Sequence, residues 1–271
     1  MMLINGQPGD SISALDRGLS YGDGLFETIR FVGEVAPLWS RHMQRLHLGC
    51  ERLRLPLPDE ALLWHEAMTV THGLPQSVLR ITLTRGVGER GYAWSAALQP
   101  TRIVAAFPMP LLAAGTYAHG VRMHQCETKL AEQPLLAGIK HLNRLEQVLA
   151  RAEWSDSAAA EGLLCDVYGR VISATAANLF AVIDGSTVTP SLDRCGVAGV
   201  ARAELLTVLP QAQVRDLSLK ECLQASELFL SSSIRGILPV QAVGDKVFAP
   251  GPVARMLQQH WCGLGFPMEQ A

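Results

Sequence analysis

Lysine is scarce in this sequence: only four, at positions 129, 140, 220 and 246, stand among 23 basic residues. A formal net charge of −2 leaves no broad basic face for nucleic acid or an anionic membrane surface. Several of the arginines instead sit singly beside glycines and small polar residues, which suits the grip of one local anion. No run of 18 apolar residues occurs, so no membrane-spanning helix is expected. The first ten residues, MMLINGQPGD, have neither a basic region nor a long apolar core. No signal peptide is therefore expected, and the expected location is cytoplasmic. The six cysteines, at 50, 126, 165, 195, 222 and 262, include no CxxC pair. They read as buried thiols of a reducing compartment. Cys126 and His124 lack close partners for zinc, so no metal site is expected. Charged residues are only 18% of the chain against 48% hydrophobic ones, which excludes a disordered chain. At 271 residues, the chain can bury one large core or two modest ones.

The pattern is that of an α+β protein. LIN at 3–5 and LFETIR at 25–30 read as strands. Met43, Leu46, Cys50 and Leu53 recur at helical spacing, and Pro56 and Pro58 end that helix. Residues 60–72 predict a second helix. Leu79, Ile81 and Leu83 alternate with Arg80, Thr82 and Thr84 as in a half-buried strand. TRIVAAF at 101–107 is a further strand. The breaker-rich PMPLLAAG at 108–115 marks a domain boundary. The expected division is a small α/β domain over 1–109, a linker over 110–115 and a larger domain over 116–271. In the larger part, 117–124 predicts a strand. Residues 141–154 predict a helix with Leu142, Leu145, Val148, Leu149 and Ala152 on its buried face. LLCDV and RVISA flank one turn, and ANLFAVI and STVTP flank an Asp-Gly turn, a hairpin signal. A helix over 199–209, a strand ELFLSSS running into a polar loop, a hairpin in VQAVGDKVFAP and a helix near 252–262 complete the chain.

Residues 86–91, GVGERG, match the dinucleotide-binding spacing but lack its context, since YAWSAALQP after them is short and broken by Pro100. A mobile loop carrying Arg85, Arg90 and Tyr92 toward a substrate is expected instead. Lys140 opens the predicted helix, where its charge opposes the macrodipole. A shielded lysine there is a candidate for Schiff-base chemistry, which needs the neutral amine. Its alternative role is that of a surface charge. Three further features suit an anion such as phosphate. The loop DRCGVAG leads into a helix whose first N–H groups are free to donate. Ser231, Ser232 and Ser233 end a strand, where they donate to an anion or cap a turn. Arg45 lies off the apolar stripe of its helix, as a phosphate ligand or a solvated charge.

The segments DRGLSYGDGLFETIR at 16–30, RHMQRL at 41–46, TRGVGERGY at 84–92, AGIKHLNRLEQVL at 137–149, ATAANLF at 174–180 and GVAGVARAELL at 196–206 carry a resemblance that runs almost the length of the chain. They resemble the two-domain fold-type IV, branched-chain aminotransferase-like pyridoxal-phosphate enzymes. Within that family the lysine block is most similar to the aminodeoxychorismate lyases of the folate pathway. The resemblance implies pyridoxal 5'-phosphate as cofactor, bonded to Lys140, which later moves protons. It implies that Arg45 grips the phosphate, with the backbone of Val200 and Ala201 and the hydroxyl of Ser233. It also places Asn178 beside the cofactor ring, and it makes Tyr21, Phe26 and Thr28, with Arg90 and Tyr92, the residues that shape the substrate side. Arg90 first and Arg144 second would then meet the substrate's carboxylates. The partners implied are a second copy of the chain in a homodimer and an aminodeoxychorismate synthase that supplies the substrate.

One position departs from the family pattern. The family places a glutamate, partner of the pyridine nitrogen, five residues before the asparagine matched by Asn178; here that position is Ser173. A serine can hydrogen-bond the nitrogen but supplies no opposite charge, so the ring is a weaker electron sink. Transamination depends on that sink more than an elimination that forms an aromatic ring. The expected activity is therefore the lyase reaction, with a D-alanine or branched-chain aminotransferase as the alternative.

Overall fold

The computed structural model describes residues 1–155 and 159–268. The chain divides into two compact units, Met1–Pro110 with Ile139–Asn143, and Leu111–Gly138 with Arg144–Ala271. The five residues around Lys140 thus group with the first unit, although they lie within the 116–271 range of the expected second domain.

The first unit contains β1 (Met2–Ile4), β2 (Gln7–Pro8), α1 (Arg17–Tyr21), β3 (Gly24–Val32), α2 (Trp39–Leu53), α3 (Glu60–Thr71), β4 (Gln76–Thr84) and β5 (Thr101–Phe107). Its strands form an antiparallel sheet in the order β2-β1-β5-β4-β3. The alternation in β4 buries Leu79, Ile81 and Leu83 and leaves Arg80 exposed. On α2 the expected stripe is buried at Met43, Leu46 and Cys50, where each apolar side chain contributes about 1.5–3 kcal/mol. Asp59 starts α3 by accepting the N–H groups of Ala61 and Leu62.

The second unit contains α4 (Thr116–His119), β6 (Val121–Leu130), α5 (Leu145–Arg151), β7 (Ala159–Asp166), β8 (Val171–Ala174), β9 (Asn178–Ile183), β10 (Ser186–Pro190), α6 (Val200–Val208), β11 (Gln213–Arg215), α7 (Leu219–Gln224), β12 (Glu227–Ser232), β13 (Gly236–Val243), β14 (Lys246–Val247) and α8 (Pro252–Gly263). Among the described residues its sheet runs β11-β10-β9-β12-β13-β6-β7-β8, with β14 beside β13. Pairings of β13 with β6, β6 with β7 and β10 with β11 are parallel. Leu163, Leu179, Leu228, Leu230, Leu238 and Val240 fill the core on one side of this sheet. The Asp184-Gly185 turn has both residues at positive φ, 48° and 78°, as a two-residue hairpin requires.

Two sequence expectations change here. The segment 117–124 is not all strand, because Gly115 and Gly120 bracket the short helix α4 before β6 begins. The helix expected over 141–154 spans only Leu145–Arg151. Its Leu145, Val148 and Leu149 are not a buried face: they are 69%, 61% and 55% exposed.

Candidate functional site

In the first unit, residues 140–142 lie along β3. The Phe26 N–H donates to the Lys140 carbonyl at 2.9 Å, and the Leu142 N–H donates to the Gly24 carbonyl at 3.0 Å. Leu25 and His141 form an antiparallel bridge. That pairing holds the lysine segment extended and delays the helix to Leu145. The macrodipole argument for Lys140 therefore fails, since no helix begins at this residue. Its environment comes from β3 instead. Lys140 is half-buried, and its ammonium lies 4.3 Å from the centre of the Phe26 ring.

Arg80 is a residue that sequence reasoning missed. Its guanidinium also lies 4.3 Å from the Phe26 ring centre. The two cations are thus no farther apart than twice that distance. Arg80 pairs with Thr28 in the β3–β4 register, and Phe26 with Thr82. Directly opposed and alternate residues share a face, so Phe26, Thr28, Arg80 and Thr82 line one face of the sheet. The two-residue period of both strands was the signal that could have placed Arg80 there.

Arg45 is not a solvated charge. Its Nε and Nη2 lie 2.8 and 2.5 Å from the two carboxylate oxygens of Glu27 on β3. His42 Nδ1 lies 2.6 Å from Glu27 Oε2. Burial alone would raise the Glu27 pKa. The charge of Arg45 and the hydrogen bonds from Arg45 and His42 outweigh it and bring the group down to about 2. Burial lowers the pKa of His42, against the opposing effect of Glu27.

The loop after β4 carries several tethers. Arg17 donates to the carbonyls of Gly91, Tyr92 and Ala93, and the Tyr21 hydroxyl accepts from the Gly91 N–H at 2.9 Å. Arg85 does not face a substrate. It is buried on both oxygens of Asp23 and on the carbonyls of Leu53 and Arg54. Arg90 and Tyr92 are exposed, and the Tyr92 ring lies 5.7 Å from that of Tyr21.

In the second unit, α6 starts at Val200 and Ala201 behind Gly199, with no side chain capping it. A Cβ on Gly199 would stand 2.0 Å from Asn178 Oδ1, so any side chain there requires Asn178 to shift. The Asn178 amide donates to the Val197 carbonyl at 2.9 Å, which fixes the loop entering α6. The Gly138 N–H donates to the Gly196 carbonyl, and the Ala198 N–H to the Gly138 carbonyl. The segment leading to the lysine is thereby tied to the loop leading to α6.

Ser231 stands opposite Asn178 in the β9–β12 register. Its buried hydroxyl has no hydrogen-bond partner among the described residues. Ser232 accepts from the Arg235 N–H, and Ser233 is half-buried. A helix start without a side-chain cap and an orphan hydroxyl are a donor set suited to a phosphate monoester. Ser231 joins Ser233 in that set, although the family resemblance points to Ser233 alone.

Ser173 lies in β8 opposite Leu164 and is 8% exposed. Glu161 on the paired strand takes bonds from the Thr175 hydroxyl, the Ala176 N–H and Arg235. Arg144 precedes α5 and is half-buried, and burial brings its guanidinium down to about 10. Among the described residues no group of histidine, cysteine and carboxylate side chains could hold a metal ion.

Comparison with known proteins gives a consistent relationship. The family model for amino-transferase class IV matches residues 24–243. The chain is 36% identical over 266 residues to the aminodeoxychorismate lyase of Vibrio harveyi, covering 95% of this chain and 98% of the relative. The crystal structure of 4-amino-4-deoxychorismate lyase from Pseudomonas aeruginosa superposes with a TM-score of 0.93 at 46% identity, over 97% and 98% of the two chains. The branched-chain amino acid aminotransferase of Escherichia coli superposes with a TM-score of 0.87 at 26% identity, over 97% and 93%. The chain therefore belongs to the amino-transferase class IV family.

Proposed function

We propose that this protein is a pyridoxal-phosphate-dependent lyase that converts 4-amino-4-deoxychorismate to 4-aminobenzoate and pyruvate. The observation that carries the reading is the 46% identity and 0.93 TM-score to a lyase of that name over nearly both whole chains. The aminotransferase structure of the same fold is more distant, at 26% identity.

When bound, pyridoxal phosphate supplies an aldehyde for imine chemistry and a conjugated ring that stores an electron pair. The protein's part falls to its own side chains. Lys140 is the residue that would hold the cofactor through its aldehyde carbon, and its free amine would serve as the base for the proton on the amine-bearing ring carbon. The C–O bond to the enolpyruvyl group on the adjacent carbon would then break, and the same lysine would pass that proton to the departing enolpyruvate, which becomes pyruvate. Aromatisation drives the step forward, and the two products together contain every atom of the substrate. Ser173 would supply the pyridine nitrogen with a hydroxyl but no negative charge, which such an elimination tolerates better than transamination does.

Arg45, the Val200 and Ala201 N–H groups and the serines 231 and 233 are assigned to the phosphate. Asn178 is assigned to the loop that presents those N–H groups. The substrate's two carboxylates call for cations. Arg80 is the first candidate because it shares the Phe26 ring with Lys140. Arg90 and Arg144 are the next, with Tyr21, Thr28 and Tyr92 shaping the approach. A homodimer is part of the proposal, supported by the exposed Leu145, Val148 and Leu149 of α5, an apolar face suited to a second copy. Cytoplasmic location and supply by an aminodeoxychorismate synthase complete it.

The test is to give the cofactor-loaded protein enzymatically prepared substrate and follow 4-aminobenzoate by fluorescence and pyruvate by a coupled assay. Equal appearance of both, proportional to enzyme, is expected. No product from protein whose cofactor is bound would overturn the lyase reading and turn attention to amino-acid half-reactions.

A further inference from the structure

Glu27 and His42 take no part in the proposed reaction, yet they form the most deeply buried polar group in the first unit that contacts an assigned residue. Glu27 is 1% exposed and His42 0%. His42 and Arg45 are three residues apart on α2, so both project from one face of the helix toward one carboxylate on β3. Glu27, held at about 2, is ionised at neutral pH and can only accept hydrogen bonds. Its 2.6 Å contact with His42 Nδ1 therefore requires the proton on that nitrogen. The neutral ring then has its lone pair on Nε2, which is buried without a partner among the described residues.

A structural role explains this cluster poorly. A buried ion pair is commonly no more stabilising than apolar side chains of the same volume, and an orphan ring nitrogen adds cost. What the arrangement secures is geometry. The guanidinium is held through two parallel bonds, and the carboxylate that receives them is itself fixed by the imidazole. The neighbouring residue of the same strand, Phe26, fixes Lys140 through its N–H and its ring. Two consecutive residues of β3 thus set the two basic side chains assigned to opposite ends of the cofactor.

We propose that Glu27, locked by His42, is the positioning residue for Arg45, and that the preference for the phosphorylated cofactor depends on a carboxylate that does not touch the cofactor. This rests on the assignment of Arg45 to the phosphate. The charge of Glu27 also opposes anion binding by Arg45, so the two possible effects of its removal have opposite signs. If Glu27 only neutralises, Glu27→Gln tightens binding of the phosphate. If it positions, Glu27→Gln weakens it.

The experiment strips the full chain of cofactor and titrates it with pyridoxal 5'-phosphate and, separately, with pyridoxal, reading visible absorbance and tryptophan fluorescence. Glu27→Gln is expected to raise the Kd for pyridoxal 5'-phosphate at least tenfold and to leave that for pyridoxal within twofold. Equal weakening of both ligands would mark a merely structural role and overturn the proposal, as would tighter binding of the phosphorylated form. Arg45→Gln tests the underlying assignment. If it loses the phosphate preference while Glu27→Gln keeps it, the positioning role falls and the Arg45 assignment stands. If neither variant loses the preference, both fall. Should Glu27→Gln fail to fold, Glu27→Asp keeps the charge while withdrawing it from the guanidinium, and His42→Gln keeps the arginine pair while loosening the carboxylate. Each is expected to lose the same preference in part, and an unchanged preference in both overturns the proposal.

Discussion

Phe26 holds Lys140 twice: its N–H donates to the lysine carbonyl at 2.9 Å, and its ring centre lies 4.3 Å from the lysine ammonium. The first contact fixes the backbone and survives substitution. The second belongs to the ring and is worth about 0.5–2 kcal/mol. Phe26→Leu is therefore expected to fold normally and to lose roughly two- to thirtyfold in kcat/KM. Lys140→Ala is expected to lose both turnover and the visible band of bound cofactor. A Lys140→Ala protein with the wild-type spectrum would reject Lys140 as the bonding residue.

Arg80 shares that ring but is exposed, so it contributes little to folding. Arg80→Gln is expected to leave the melting temperature within about 2 °C, since surface substitutions cost within about 0.5 kcal/mol. A lost charge-assisted bond to a carboxylate, about 1.5–3 kcal/mol, should raise KM roughly ten- to hundredfold. An unchanged KM would transfer the role to Arg90 or Arg144, and the same assay on Arg90→Gln and Arg144→Gln would separate them.

Much of this fold was legible because burial follows simple periods. The alternation of Leu79, Ile81 and Leu83 gave β4, and the three- and four-residue spacing of Met43, Leu46 and Cys50 gave α2. The Asp184-Gly185 turn marked the β9–β10 hairpin. The same logic misread residues 141–149. Their apolar residues have helical spacing, but backbone pairing with β3 takes the first of them, and the rest face outward on α5. Helices as short as α1 and α7 carry too little periodicity to stand out. At the site, sequence could nominate Arg45 and Lys140 through resemblance. It could not show that Glu27, eighteen residues before Arg45, closes on it, because that pairing exists only once β3 lies against α2. Ser231 was nominated only as one of three strand-end serines for a related reason: only register with Asn178 distinguishes the buried hydroxyl.

The loop over 86–94 should depend on Arg17. That side chain bonds Asp23 at 3.1 Å and three successive backbone carbonyls while almost fully buried. Arg17→Ala removes all four contacts and leaves Asp23 to Arg85 alone. The loss is expected to be on the order of 3 kcal/mol. Limited proteolysis should then cut within 86–94 while the wild type resists. Equal protease resistance in the two proteins would show that the tether is dispensable.

Acid should destabilise the protein in two stages. The folded pKa of His42 lies below its ordinary 6.5, and that of Glu27 is about 2 against an ordinary 4.5. In both cases the unfolded chain binds the proton more readily, so the stabilisation is complete above the ordinary value and falls with pH below it. His42 should begin to erode stability as pH drops through about 6.5, and Glu27 below about 4.5. Urea unfolding at pH 8, 6 and 5 reads the first stage. His42→Gln, which cannot titrate, is expected to show a flatter dependence over that range. An identical slope in the variant would assign the first stage to other groups.

Gly199 offers a sharp test of the anion cradle at α6. A Cβ at this position would stand 2.0 Å from Asn178 Oδ1, which must then move, and the Asn178 amide holds the Val197 carbonyl two residues before the glycine. Gly199→Ala therefore disturbs the loop that presents the Val200 and Ala201 N–H groups without removing a functional atom. Overpacking of this kind costs about 1–3 kcal/mol, and the expected loss of stability lies in that range. The expected functional effect is weaker binding of pyridoxal 5'-phosphate with little change for pyridoxal, because the displaced N–H groups are those assigned to the phosphate. Asn178→Ala in the same background clears the clash while giving up the bond to Val197. Partial recovery of cofactor affinity in Gly199→Ala/Asn178→Ala over Gly199→Ala is expected. Full wild-type affinity in Gly199→Ala by itself would show that the start of α6 does not hold the phosphate.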